Sequence, residues 1–129
     1  GRWVGRVADQ VFVYGSLMRG LQYHHLLGDA PYLGEDGTRD GFRLLSLGPY
    51  PAAVDGAGSP VRGEVYAVSS VTLGRLDVLE GAPDLYERRR VALQSGRDAW
   101  MYIMPLGALS PNGDSWELVP NGDWRAYRA

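Results

Sequence analysis

The chain of 129 residues contains no cysteine. That excludes thiol nucleophiles, disulfides and cysteine-ligated metal sites together, and it fits a reducing, cytoplasmic setting. Lysine is also missing, so all 13 basic side chains are arginines. The only two histidines, His24 and His25, are adjacent. On a helix such neighbours point about 100° apart, whereas a chelating pair prefers a spacing of four, so no metal is expected. No run approaches the ~20 apolar residues that cross a bilayer. Residues Gly1 to Gln10 hold no apolar leader core, so neither a signal peptide nor a membrane partner is expected. A formal net charge of −2 argues against a nucleic-acid partner, whose phosphates call for a basic face. The single basic cluster, Arg88-Arg89-Arg90, alternates between faces if it lies on a strand. Oligomeric state is left open.

What is present is apolar material cut up by turn formers. Hydrophobic residues make up 45% of a chain long enough for one core, so a single domain over residues 1–129 is expected. Eighteen glycines and eight prolines imply many tight turns between short strands. Alternating and β-branched runs predict strands at Val11–Tyr14, Tyr32–Glu35, Gly41–Leu47, Gly63–Val68, Glu87–Leu93 and Ala99–Met104. Asp55 to Pro60 reads as a loop, and Gln94 to Arg97 as a hairpin turn. A short helix is expected over Leu21–Leu27. A longer one starts at Ser69-Ser70 and ends at Glu80 with Gly81 as its stop. Leu73, Leu76 and Leu79, helped by Val71 and Val78, would form its buried stripe. The result is an α+β domain in which strands outnumber helices.

Two junctions carry chemistry. Val11 to Tyr14 runs into Gly15-Ser16-Leu17, where a tight turn presents successive backbone N–H groups able to hold a carboxylate or an oxyanion. Glu80 ends its helix at the negative pole of the macrodipole, which raises its proton affinity; enclosure in a cavity adds to this. Asp77, three residues earlier, would add a modest like-charge effect.

Taken in order, Tyr14-Gly15-Ser16-Leu17, Tyr50-Pro51-Ala52, Gly63-Glu64-Val65-Tyr66 and Leu76-Asp77-Val78-Leu79-Glu80-Gly81 before Tyr86-Glu87-Arg88 resemble the γ-glutamylcyclotransferase-like (AIG2-like) family. The tail Asn121-Gly122-Asp123-Trp124 looks like that of its compact members acting on γ-glutamylamines. The resemblance spans about Val11 to Trp124. It implies a small mixed β-barrel flanked by short helices, with the active site at one mouth. It also implies cyclisation of a γ-glutamyl amide to 5-oxoproline and a free amine, without metal or cofactor. Glu80 would be the acid/base, and the backbone of Gly15, Ser16 and Leu17 would hold the carboxylate or oxyanion. Tyr14 would line the cavity or pack the core, and Tyr102 would face the cavity.

Tyr86, Arg88, Pro51, Ala52 and Trp124 are read as structural: Tyr86 packs against the helix end, Arg88 ties down the loop, Pro51 and Ala52 shape the pocket wall, and Trp124 packs the tail over the barrel. Two other readings stand beside this one. The substrate is a protected biosynthetic intermediate such as a γ-glutamylated aminoglycoside, favoured if Asp36, Asp40, Asp84 and Asp114 cluster at the rim. Or the domain is a non-catalytic ligand binder on the same barrel.

Overall fold

Val11, Phe12 and Val13 are all buried, as a strand covered on both faces requires. They belong to β1 (Asp9–Val13), which pairs antiparallel with β3 (Pro51–Val68) and parallel with β5 (Asp98–Ile103). β2 (Tyr32–Ser46), β4 (Glu87–Ala92) and β6 (Glu117–Leu118) complete a six-stranded mixed sheet of order β4-β5-β1-β3-β2-β6. This computed structural model describes residues 9–109 and 115–129.

The sheet curls until its β4 end returns to β2. Leu93 bridges to Thr38, and the Gln94 N–H donates to the Gly37 carbonyl at 2.8 Å. Thr38 is fully buried and survives there because its hydroxyl is used twice. It donates to the Asp40 carbonyl at 2.6 Å and accepts from the Val61 N–H at 2.9 Å. Side chains from all sides fill the interior, with Phe12, Leu44, Val54, Val65, Met101 and Ile103 almost wholly out of solvent. No helix among the described residues is long and apolar enough to cross a membrane.

β2 and β3 are longer than their sequence pattern predicts, whereas β4 stops at Ala92, one residue short of the expected Leu93. Residues 32–35 and 41–46 are parts of one strand, Leu47 lies just beyond its end, and the expected loop from Asp55 to Pro60 is extended as part of β3. A register shift between Phe42 and Arg43 lets residues 55–58 bulge out of the ladder. Backbones close up there: a Cβ on Gly58 would stand 2.1 Å from the Phe42 carbonyl oxygen. Glycine in this stretch therefore permits a close approach of β3 to β2 rather than a turn.

α1 (Ser70–Leu79) begins where expected, with the Ser69 hydroxyl accepting from the Thr72 N–H at 3.1 Å. Its buried stripe is narrower than its leucine spacing implies. Leu73 and Leu76 are buried, but Leu79, Val71 and Val78 are 44, 63 and 83% exposed. The helix rests on the sheet along one ridge only, and Leu79 borders a cavity instead. The expected helix over Leu21–Leu27 is a single 3-10 turn, His24–Leu27, after a run of tight turns. A second short helix, α2 (Trp124–Arg128), is capped by Asp123 and buries Trp124 against the barrel, as read from the sequence.

The arginine run does alternate. Arg88 lies 4.3 Å and Arg90 5.5 Å from the Trp100 ring centre, while Arg89 pairs with Asp55 on the other side at 2.8 Å.

Candidate active site

A cavity of about 310 Å³ opens between the end of β1, the start of β3, the end of α1 and β5. Tyr14, Gly15, Ser16, Leu17, Glu80 and Tyr102 all line it. Every site residue named from the sequence is therefore brought to one place, from segments up to 88 residues apart.

The turn after β1 is closed by the Met18 N–H donating to the Gly15 carbonyl at 3.0 Å. The N–H groups of Ser16 and Leu17 take no part in the backbone hydrogen bonds among the described residues. They are therefore available to a ligand anion. Gly15 is required by contact: a Cβ there would lie 2.9 Å from the Pro51 ring, which forms part of the cavity wall. Sequence reading put Pro51 in this wall but did not foresee the contact.

Glu64 holds the turn from behind, a role the sequence left unassigned. Its carboxylate is 3% exposed and accepts from the Arg19 N–H at 2.9 Å, the Tyr66 hydroxyl at 2.9 Å and the Arg125 guanidinium at 3.0 Å. A buried charge of this kind survives only when its oxygens are engaged. Glu64 thus joins β3, the exit of the Gly15–Met18 turn and α2. The one legible sign was its place in the Gly63-Glu64-Val65-Tyr66 motif, an acidic residue directly before the apolar stretch Val65 to Val68.

Glu80 sits at the end of α1, half-buried, with its backbone N–H bonded to the Leu76 carbonyl at 2.9 Å. Gly81 follows at φ +63° and lets the Ala82 N–H reach the Asp77 carbonyl at 2.9 Å, the bond that closes a helix through a left-handed residue. This stop fixes where the Glu80 side chain leaves the helix. Burial pushes its carboxyl from 4.5 up to about 7. Desolvation is the cause, and the expected like-charge contribution from Asp77 is absent from it. The reason is visible: Asp77 accepts from Arg88 through both oxygens, at 2.8 and 3.2 Å, and from the Tyr102 hydroxyl at 2.7 Å. Its charge is already answered. Arg88 accordingly ties helix to strand rather than tying down a loop.

The tyrosines are spoken for at their hydroxyls. Tyr14 donates to the Tyr102 carbonyl at 2.7 Å and accepts from the Ala53 N–H at 3.0 Å, pinning β1, β5 and β3 together. Tyr86 donates to the Pro51 carbonyl at 2.9 Å. Each therefore shapes the cavity through its ring and holds it through its oxygen, so lining and packing are one role. Burial pushes the phenols of Tyr14, Tyr86 and Tyr102 well above their usual range. They stay protonated at neutral pH, which leaves Glu80 as the one cavity-lining group, among the described residues, that titrates near pH 7.

Residues 11–126 match the family model described as γ-glutamyl cyclotransferase, AIG2-like. The chain belongs to that family. Among curated relatives of this AIG2-like chain is the γ-glutamylcyclotransferase family protein YtfP of Escherichia coli K12. The two are 38% identical over 115 residues, covering 89% of this chain and 95% of that protein. Among solved structures, protein PH0828 of Pyrococcus horikoshii superposes with a TM-score of 0.75 at 29% identity, covering 94% of this chain and 93% of its own. An AIG2-like protein of Mus musculus gives a TM-score of 0.70 at 25% identity, covering 91% of this chain and 94% of its own. The implied fold is thereby the observed one, and the chain is a γ-glutamylcyclotransferase-like enzyme.

The raised carboxyl has a consequence for stability. Below pH 4.5, Glu80 is protonated in both folded and unfolded chains, and no penalty arises. As pH rises from 4.5 to about 7 the unfolded chain loses this proton while the folded one keeps it, so stability falls across that window. Above pH 7 the folded state carries the full penalty of about 3 kcal/mol. Glu80→Gln is expected to raise the melting temperature at pH 8 and leave it unchanged at pH 4. Equal melting at both pH values would show that the carboxyl is not desolvated.

Proposed function

We propose that this protein cyclises γ-glutamyl amides, releasing 5-oxoproline and a free amine, with Glu80 as general base and then general acid. The observation that carries the reading is one cavity joining a carboxyl lifted to about pH 7 and the N–H groups of Ser16 and Leu17, which are unbonded among the described residues. Of the acids that would favour a polycationic substrate, Asp36, Asp40 and Asp84 do not line this cavity, and Asp114 lies outside the described residues.

The chemistry follows from what that cavity offers. The α-ammonium of the glutamyl group gives a proton to Glu80, and its nitrogen attacks the γ-carbonyl carbon of the same molecule. A five-membered ring closes as the carbonyl oxygen takes up negative charge. The backbone donors of the Gly15–Leu17 turn support that oxygen or the glutamyl carboxylate. Collapse breaks the amide C–N bond, Glu80 returns the proton to the departing nitrogen, and the second proton shed by the ring nitrogen passes to the freed amine, which leaves as an ammonium. Atoms balance with no water consumed. Because attacker and target share one molecule, positioning supplies much of the rate; such reactions reach effective molarities of ~10⁵–10⁸ M. A carboxyl near pH 7 suits both halves of the proton cycle. Neither metal nor cofactor enters these steps.

Cyclisation and hydrolysis are separated by their products. Incubated with a γ-glutamyl amide in ¹⁸O-water, the protein is expected to release unlabelled 5-oxoproline and the amine in equal amounts. Labelled glutamate in place of 5-oxoproline would overturn the reading in favour of a hydrolase. The same assay is expected to show kcat/KM rising with pH through about 7, as the Glu80 carboxylate forms.

A further inference from the structure

The adjacent histidines, ill-spaced for a metal, have a place in the fold that the reaction has not yet used. His24 opens the 3-10 turn His24–Leu27, on the segment that follows the Gly15–Met18 turn and returns to it. Its half-buried ring sets Nδ1 3.0 Å from the Leu17 carbonyl oxygen. A carbonyl oxygen bears no hydrogen, so Nδ1 is the donor. The ring also packs on Tyr66, 5.6 Å between centres, whose hydroxyl donates to Glu64 at 2.9 Å. His24 is thus steadied by the pair that anchors the exit of the turn.

Every carbonyl of the turn has a partner. Gly15 accepts from the Met18 N–H at 3.0 Å, Ser16 from the Tyr23 N–H at 2.9 Å, and Met18 from the Leu21 N–H at 3.1 Å. Leu17 accepts from His24, the one side chain in this set. These peptides are trans, so each N–H points away from the carbonyl of its own unit. Holding the Gly15 carbonyl therefore aims the Ser16 N–H, and holding the Ser16 carbonyl aims the Leu17 N–H. Without His24, the Leu17–Met18 peptide is free to rotate and to carry the Met18 N–H off the Gly15 carbonyl. The unit bearing the Ser16 N–H then loses its clamp.

We infer that His24 is a positioning residue for the reaction: its Nδ1–H locks the Leu17–Met18 peptide and so keeps the Ser16 and Leu17 N–H groups presented to the cavity. This rests on the cyclisation reading above and adds to it a side chain that does not itself line the cavity. His24 acts on the substrate only through the turn. His25 is exposed and makes no side-chain hydrogen bond to the turn among the described residues, which makes it the natural control.

Substitutions at this position separate the N–H from the ring. His24→Ala removes both, His24→Phe keeps a ring to pack on Tyr66 without a donor, and His24→Asn puts an amide N–H close to where Nδ1 stood. Release of 5-oxoproline is followed from the γ-glutamyl amides of methylamine, benzylamine and the lysine side-chain amine, below the melting transition of each variant. His24→Ala and His24→Phe are expected to lose at least about tenfold in kcat/KM, and His24→Asn to return to within about threefold of the parent. His25→Ala is expected to match the parent. Parental rates in His24→Ala, recovery in His24→Phe, or a loss in His24→Asn as deep as in His24→Phe would overturn the inference while leaving cyclisation standing. Should His24→Ala fail to fold, His24→Phe against His24→Asn decides alone. Release from none of the amides by the unaltered protein would remove the cyclisation reading and this role with it.

Discussion

Glu80→Gln is expected to lower turnover of a γ-glutamyl amide by ~10²–10⁴-fold, the usual worth of a general acid–base group. Glutamine keeps the size and the hydrogen-bonding shape but cannot exchange protons. Substrate binding should largely survive, because the glutamyl end is read here as held by the backbone of Gly15 to Leu17. The loss therefore belongs in kcat, with KM changed little. Melting curves on the same preparation separate chemistry from folding, and the raised carboxyl means the variant melts no lower than its parent above pH 7. A well-folded Glu80→Gln protein that released 5-oxoproline at the parental rate would falsify the acid/base assignment.

The second large effect is expected at Glu64, which touches no substrate. Removing its carboxylate in Glu64→Ala strands the Tyr66 hydroxyl and the Arg19 N–H, both satisfied by that group. Leaving such donors unmet costs ~1–3 kcal/mol each, so a total loss of about 2–6 kcal/mol is expected in denaturant unfolding. The arginines add less, because Arg19 and Arg125 keep 56 and 46% of their side-chain surface in water. The turn freed from its anchor also misplaces the Ser16 and Leu17 N–H groups, so turnover is expected to fall at least about tenfold in the protein that remains folded. Glu64→Gln keeps an oxygen acceptor and is expected to recover most of both losses. Unchanged turnover in folded Glu64→Ala would assign Glu64 to stability alone and release the turn from its control.

Local signals were legible where short-range rules apply. Ser69 caps α1 and Gly81 stops it, as serine and glycine do in any chain, and so the position of Glu80 at a helix end was readable. The Gln94–Arg97 hairpin was equally plain, with Gly96 at φ +95° in its turn. Where neighbouring strands intervene, the same rules misled. Asp55 to Pro60 carries loop composition yet lies in β3, because long-range pairing with β2 overrides local preference. Leu79 and Val78 fit a helical stripe, but nothing packs on that side of α1, so periodicity implied burial that the sheet does not supply.

Charge was harder to read still. Asp77 and Glu80 stand three apart on one helix, which by sequence is mutual repulsion. In the fold, Arg88 and Tyr102 take Asp77 and leave Glu80 alone in a desolvated cavity. Both partners come from β4 and β5, beyond the reach of helix-periodicity reasoning. Glu64 stood in a family motif, but its role was illegible for the same reason: Arg19 and Arg125 lie 45 and 61 residues from it.

The order of the motifs along the chain was enough to name the family, the fold class and the carboxyl at the helix end, because each rests on residue identity and local backbone geometry. What the folded molecule added is whatever depends on distance between remote segments. It set which acid is neutralised and which is left unpaired, and which tyrosine hydroxyls are consumed in holding strands. It set how the turn after β1 is anchored. Those properties arise from desolvation and pairing across the barrel. Both vary with surroundings that a linear string of residues does not contain.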